Sequence, residues 1–207
     1  MRRALPGFVD SLALLVKTAA VKHLDETGFR VGGKTQWLHV ACTLWLSFYR
    51  VSPKRGSLLD GVTGIMVHDH WKPYYTMKGV LHALWNAHHL RELQALVEIE
   101  KEPWAFRMQR LLRRTGHNLL LRLTTRKDDV LRFLTDPTVP FTNNLTEQAV
   151  RMMKLRQKIS GGFRSEEGAG DFAVIRSFIA TAKKQGWNLI HALTQDPTTL
   201  VQHLRLA

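Results

Sequence analysis

The chain has 207 residues, 44% hydrophobic and 23% charged, a balance that suits one sizeable globular core and excludes a disordered chain or a membrane-spanning bundle. Its 30 lysines and arginines against 17 aspartates and glutamates give a net charge of +13 and an isoelectric point near 10.4. A field of that sign favours polyanions, nucleic acid first among them. The single cysteine, Cys42, excludes an internal disulfide and a cysteine-rich zinc site; within "WLHVACTLWLSFY" it reads as a small buried hydrophobe.

The opening "MRRALPGFVDSLALLVKTAAVK" carries a short apolar run broken by Asp10 and Lys17, so it does not read as a signal peptide. No stretch approaches the roughly 18 apolar residues of a membrane span. The expected location is the cytoplasm, with no membrane partner. From 21 to 51 the pattern is strand-like. "VKHLDETGFRV" alternates, Gly32-Gly33-Lys34 gives a turn, and "QWLHVACTLWLSFYRV" reads as two strands with a tight bend near Thr43. A short helix is expected around Leu58, then a short buried strand in "GIMVHDH", then a loop or short helix in "WKPYY". "HALWNAHHLRELQALVEIEKE" switches to helical period, and residues 104 to 134 read as a basic helical stretch broken by Asp136-Pro137 and Pro140. A helix follows from Asn143 or Asn144, and a last long helix sets Phe172, Ile175, Ile179 and Ala182 on one face and ends at Gly186. Hairpin strands followed by a strand after a crossover imply a mixed sheet with helices packed on it.

A basic protein that works on phosphodiesters with metal ions needs hard oxygen ligands converging from separate elements. Asp25 lies within the first strand, Asp69 where the buried "GIMV" strand emerges, and Glu147 at the start of a late helix. Strand alternation sends Asp25 and Glu26 to opposite faces. Plainer readings fit the same spacing. Asp25 suits a solvated position on an edge strand, Asp69 a cap on the turn at Trp71, and Glu147 a capping box with Asn144 or an ion pair with Arg151. Spacing alone favours these plainer readings. Arg151, Lys154, Arg156, Lys158 and Arg164 follow Glu147 closely enough to hold phosphates, or to form a solvated helix face. His68, His70, His82, His88 and His89 fit no zinc spacing. "GGFR" at 161 to 164 resembles a phosphate-cradling turn, a hinge between helices being the simpler reading, and Trp187 reads as core.

The blocks "HLDETGFRV", "VHDHWKPYY", "NAHHLREL" and "DDVLRFLTDPTVPFTNNLTEQAVRMMKLRQKISGGFRSEEGAGDFAVIRSFIATAKKQG" resemble, in order, those of bacterial insertion-sequence transposases of the IS66 family. The resemblance implies a DDE catalytic domain of RNase H-like α/β fold: three antiparallel strands, then parallel strands, with flanking helices and a helical insertion. It implies one domain over 1–207, with a core at 20–102 and 141–185, an insertion at about 103–140 and C-terminal helices at 186–207. Carried over, Asp25, Asp69 and Glu147 become the catalytic carboxylates holding two Mg²⁺ ions, with Mn²⁺ as a substitute. Arg151, Lys154, Arg156, Lys158 and Arg164 become DNA contacts, and His88, His89 and Asn144 auxiliary residues. The implied partners are transposon ends and target DNA, with a homo-oligomer or a full-length transposase, at a bacterial, nucleoid-associated location. Two departures are expected: a shorter N-terminal region than in the family, and a segment lost at 110 to 115. They make an inactive, DNA-binding remnant the alternative to an active enzyme.

Overall fold

The computed structural model describes residues 5–56, 61–85, 121 and 124–206. Helix α1, Leu5–Thr18, buries Phe8, Val9, Leu12 and Val16 along one stripe, so the apolar run near the N-terminus is an amphipathic core helix. Strands β1 (Val21–Val31) and β2 (Lys34–Cys42) form an antiparallel hairpin. Its turn residues Gly32 and Gly33 both take positive φ, 53° and 81°, which a side chain there would resist. The expected bend follows: Thr43 accepts from the amides of Trp45 and Leu46 through its hydroxyl, at 3.2 and 3.0 Å, and turns the chain into β3, Ser47–Ser52. Leu58 lies outside the described residues.

Strand β4 (Gly64–His68) pairs in parallel with β1, and "WKPYY" forms a single 3₁₀ turn, Lys72–Thr76. A fifth strand, β5 (Val80–Leu84), pairs in parallel with β4 where helical period was expected to begin. "VLHAL" is too short for period alone to separate strand from helix, and the neighbouring strand decides. The sheet order is β3-β2-β1-β4-β5, with β1, β2 and β3 antiparallel and β1, β4 and β5 parallel. The mixed five-stranded sheet with flanking helices agrees with the expected α/β class. After β5 come α2 (Lys127–Thr135), α3 (Asn144–Ser160), α4 (Glu166–Gln185), α5 (Leu189–Thr194) and α6 (Pro197–Gln202).

Among the described residues hydrophobic clusters clad both faces of the sheet, a small third one joining Val67, Ala83 and Val139. On one side Phe8, Leu12 and Val16 of α1 cluster with Leu24, Ala41, Phe48 and Met66, closed by Phe178, Ala192, Leu200 and the half-buried Trp187. On the other, Ala149, Val150 and Met153 of α3 and Ala169 and Ala173 of α4 pack on Phe29, Val31, Leu38, Val40 and Tyr49. Cys42 is buried there, as expected. Among the described residues no helix is long and apolar enough to cross a membrane.

Helix α4 keeps the expected face in part: Ala182 is buried, and Phe172 and Ile179 pack against the cores. Ile175 is 47% exposed, while Ser177, Thr181 and Gln185 are buried. The reason is polar. β3 is an edge strand, and α4 lies along it as a surrogate neighbour. The amide of Tyr49 donates to the Ser177 hydroxyl at 2.8 Å, and that of Ser47 to the Thr181 hydroxyl at 3.0 Å. Thr181 returns a bond to the Ser47 carbonyl, Lys184 donates to the carbonyls of Thr43 and Leu46, and Gln185 donates to that of Trp45. These bonds satisfy strand groups that burial would otherwise orphan. The helix ends at Gly186 in the left-handed conformation, as expected.

Candidate active site

The β1–β4 ladder pairs Val21 with Ile65, Lys22 with Met66 and His23 with Val67. Carried two residues further, this register sets Asp25 beside Asp69, just past the carboxyl end of β4. Open α/β sheets place reactive groups at such strand ends, where side chains emerge from the core without backbone partners above them. Burial pushes the Asp25 carboxyl up to about 7, and the negative charge of Asp69 adds to the rise. The Glu26 amide, which donates to Asp25 Oδ1 at 2.8 Å, and the Lys154 charge both oppose it. Asp69 Oδ1 also accepts from the Trp71 amide at 3.0 Å, so the capping bond foreseen for it is made as well.

Glu26 points to the opposite face, as alternation requires. There it accepts from the Tyr74 hydroxyl and from Arg55 Nε, the latter at 2.8 Å. The Arg55 guanidinium lies over the Trp37 and Trp71 rings, at 4.8 and 4.1 Å, pinning the loop after β3 to the sheet.

Glu147 lies in the first turn of α3 and is half-buried. The capping box with Asn144 is not formed. The capping position belongs to Asn143, whose side chain makes no cap bond and turns instead to β1. Counting three or four residues at a time from Asn143, one side of α3 carries Glu147, Val150, Lys154 and Gln157. Val150 is buried in the core against the sheet, Lys154 acts on Asp25, and Gln157 Nε2 donates to the Gly28 carbonyl at 3.1 Å. That side therefore runs along β1.

Among the described residues no three His, Cys, Asp or Glu side chains stand close enough together to hold a metal ion. Asp25 and Asp69 do suit a hard divalent cation. They are oxygen ligands; burial raises Asp25 most and the Asp69 charge adds to the rise, and a bound cation would offset both. Glu147 completes no three-carboxylate group with them among the described residues.

Of the expected DNA contacts, Arg151, Lys154, Lys158 and Arg164 are exposed. Arg156 differs: it is half-buried, with its guanidinium 4.4 Å from the Phe163 ring centre, and acts as packing. The "GGFR" turn is neither a phosphate cradle nor a free hinge. Its amides are spent on carbonyls of the chain: Gly161 on Gln157, Gly162 on Ser160 and Phe163 on Arg30, at 2.9, 3.0 and 2.9 Å. The Gly32 amide returns a bond to the Phe163 carbonyl at 3.0 Å, so the turn docks beside the end of β1.

The histidines split. His68 is buried with Nε2 3.0 Å from His82 Nδ1, and burial lowers its pKa to about 3, so it is a neutral packing residue. His70 Nδ1 lies 2.8 Å from the Tyr75 hydroxyl, and Arg126 covers the Tyr75 ring at 3.8 Å. His88 and His89 lie outside the described residues. Asn143, buried and bonded to β1, is the residue that sequence reading took only for a cap. A buried asparagine at a helix start gives no sequence signal that separates capping from bridging.

The molecule is thus a basic, mixed α/β protein with two neighbouring acids on adjacent parallel strands, Asp25 within β1 and Asp69 just past the end of β4. The sequence profile of the transposase IS66 family matches residues 1–115 and 107–171, and the chain belongs to that family. It is also 36% identical over 84 residues to "Uncharacterized protein y4jO" of Sinorhizobium fredii (strain NBRC 101917 / NGR234), an alignment covering 39% of this chain and 26% of the relative. The chain thus aligns with about a quarter of that relative's length. No solved structure matches.

Proposed function

We propose that this chain carries the RNase H-like DDE catalytic domain of a DNA transposase, with Asp25, Asp69 and Glu147 as its metal-holding carboxylates. The observation that carries the reading is the register that sets Asp25 of β1 beside Asp69 at the end of β4, where burial first and the Asp69 charge second keep the Asp25 carboxyl raised. Family membership supports DNA transposition as the overall task. Mg²⁺, or Mn²⁺ in its place, supplies the Lewis acid that activates water and neutralises charge at phosphate. The two aspartates offer hard oxygens from β1 and from the end of β4, and Glu147 offers a third from α3. Arg151, Lys154, Lys158 and Arg164 hold phosphates next to them. In the reaction a water attacks a phosphodiester at the element's end and leaves a free 3′-hydroxyl. That hydroxyl then attacks a phosphodiester of the target DNA, forming the new bond as the target's own 3′-oxygen leaves. Asp25→Asn is expected to abolish strand transfer while DNA binding persists; transfer at the wild-type rate would overturn the reading.

A second reading has its own support. No three carboxylates group together among the described residues, and the two-part family match meets at 107–115, where a lost segment was expected. Under it the chain binds DNA, or a full-length transposase, without catalysis. Metal-dependent nicking of DNA bearing element ends decides between the two readings, since a remnant does not nick.

A further inference from the structure

Helix α3 is stitched to β1 at two places. At its far end Gln157 donates to the Gly28 carbonyl and the Phe163 amide to the Arg30 carbonyl. At its start it is bonded to β1 through the side chain of Asn143, which is 1% exposed. Its Nδ2 donates to the Leu24 carbonyl at 3.2 Å, and its Oδ1 lies 2.7 Å from His23 Nδ1. With Nδ2 as the donor, Oδ1 is left as the acceptor, so His23 carries its hydrogen on Nδ1. Both partners lie just past or at the last β1–β4 pair, His23 with Val67, and immediately precede Asp25. The Asn143 carbonyl in turn accepts the amide of Glu147 at 3.1 Å and the hydroxyl of Thr146 at 3.3 Å.

We propose that Asn143 is a positioning residue that fixes the first turn of α3, and with it Glu147, in register with Asp25. The proposal rests on the reading of Asp25, Asp69 and Glu147 as metal-holding carboxylates. A helix start is ordinarily secured by a side-chain oxygen bonded to the exposed amides of its first turn. Asn143 occupies that position and makes no such bond, spending both ends of its amide on strand β1 instead. Those bonds hold the Glu147 turn against the residues next to Asp25, where a shift of a fraction of an ångström in a supporting group is enough to spoil ligand geometry.

The test compares Asn143→Ser with wild type in the full chain. Serine is a good helix cap but too short to reach both β1 partners. If Asn143 only starts a helix, Asn143→Ser keeps stability and Mn²⁺ affinity unchanged. If it positions Glu147, the folded variant binds Mn²⁺ at least about tenfold more weakly by calorimetry, within the range seen for supporting groups of metal ligands. The loss disappears when Asn143→Ser is made in a Glu147→Gln background, because the two changes then act through one group. Nitrogen NMR provides a metal-free signature: His23 shows the Nδ1-protonated form in the wild type and loses that preference in the variant. If Asn143→Ser fails to fold, His23→Gln breaks the same clamp from the strand side and is expected to lower affinity in the same direction. Unchanged Mn²⁺ affinity in the folded variant, with Asp25→Asn abolishing binding, overturns the positioning role alone. Unchanged affinity in Asp25→Asn as well overturns the metal site, and the positioning role falls with it.

Discussion

Asp25→Asn should make the metal-free protein more stable at alkaline pH. Asp25 is ionised in the unfolded chain above its ordinary 3.8 but resists ionisation in the folded state until about 7. The folded state therefore binds more protons than the unfolded one between those values, and stability falls as pH rises through that window. Above pH 7 the whole cost is present, and the climb from 3.8 to about 7 corresponds to at most about 4 kcal/mol. Asparagine has nearly the same shape, keeps an oxygen to accept the Glu26 amide, and carries no charge to repel Asp69. Urea unfolding in EDTA should show the variant roughly 2–4 kcal/mol more stable than wild type at pH 8, and under about 2 kcal/mol more stable at pH 5. A gain of equal size at both pH values, or a loss at pH 8, would refute the electrostatic origin of the raised carboxyl. Added Mg²⁺ should then stabilise wild type and leave the variant unmoved, since a ligand that binds only the folded state shifts its stability by mass action.

Replacing Arg151, Lys154, Lys158 and Arg164 with serine should flatten the salt dependence of DNA binding, measured as the slope of log affinity against log salt; a slope equal to wild type would remove these residues from the interface. Gly162→Ala would set a Cβ 2.5 Å from the Arg30 carbonyl oxygen, so the docking turn must shift. Thermal unfolding should register about 1–3 kcal/mol of destabilisation, and an unchanged midpoint would mean the turn yields freely. Thr181→Val keeps the shape of the side chain but leaves the buried Ser47 amide without its acceptor, and chemical denaturation should show a cost of about 1–3 kcal/mol, against little effect from Ile175→Ala on the exposed side of α4.

The strands β1 to β4 were legible because their signals are local. Alternation, the Gly32-Gly33 turn and the bend at Thr43 each act within a few residues. β5 was hidden because five residues of mixed apolar character fit strand and helix alike, and only β4 beside them decides. The polar part of the buried side of α4 was missed for a different reason. Hydrophobic period finds faces that pack on carbon, whereas Ser177 and Thr181 pack on the backbone groups of an edge strand and Gln185 on the bend before it. The neighbourhood of Asp25 and Asp69 could be sketched from strand ends. The sideways reach of Asn143 and the spending of the Phe163 amide on Arg30 depend on contacts more than a hundred residues apart in sequence. No spacing rule encodes them.

The hydroxyls along α4 have a consequence for how copies of this protein can meet. With the outer groups of β3 engaged from the side by Ser177 and Thr181, a second molecule cannot lengthen the sheet at that border without first peeling the helix away. Strand-to-strand stacking, the route by which many β-rich proteins associate or precipitate, is closed on that flank. Any contact between copies on that flank must therefore be built from helix surfaces, whose side chains can vary without disturbing the sheet that carries the acids.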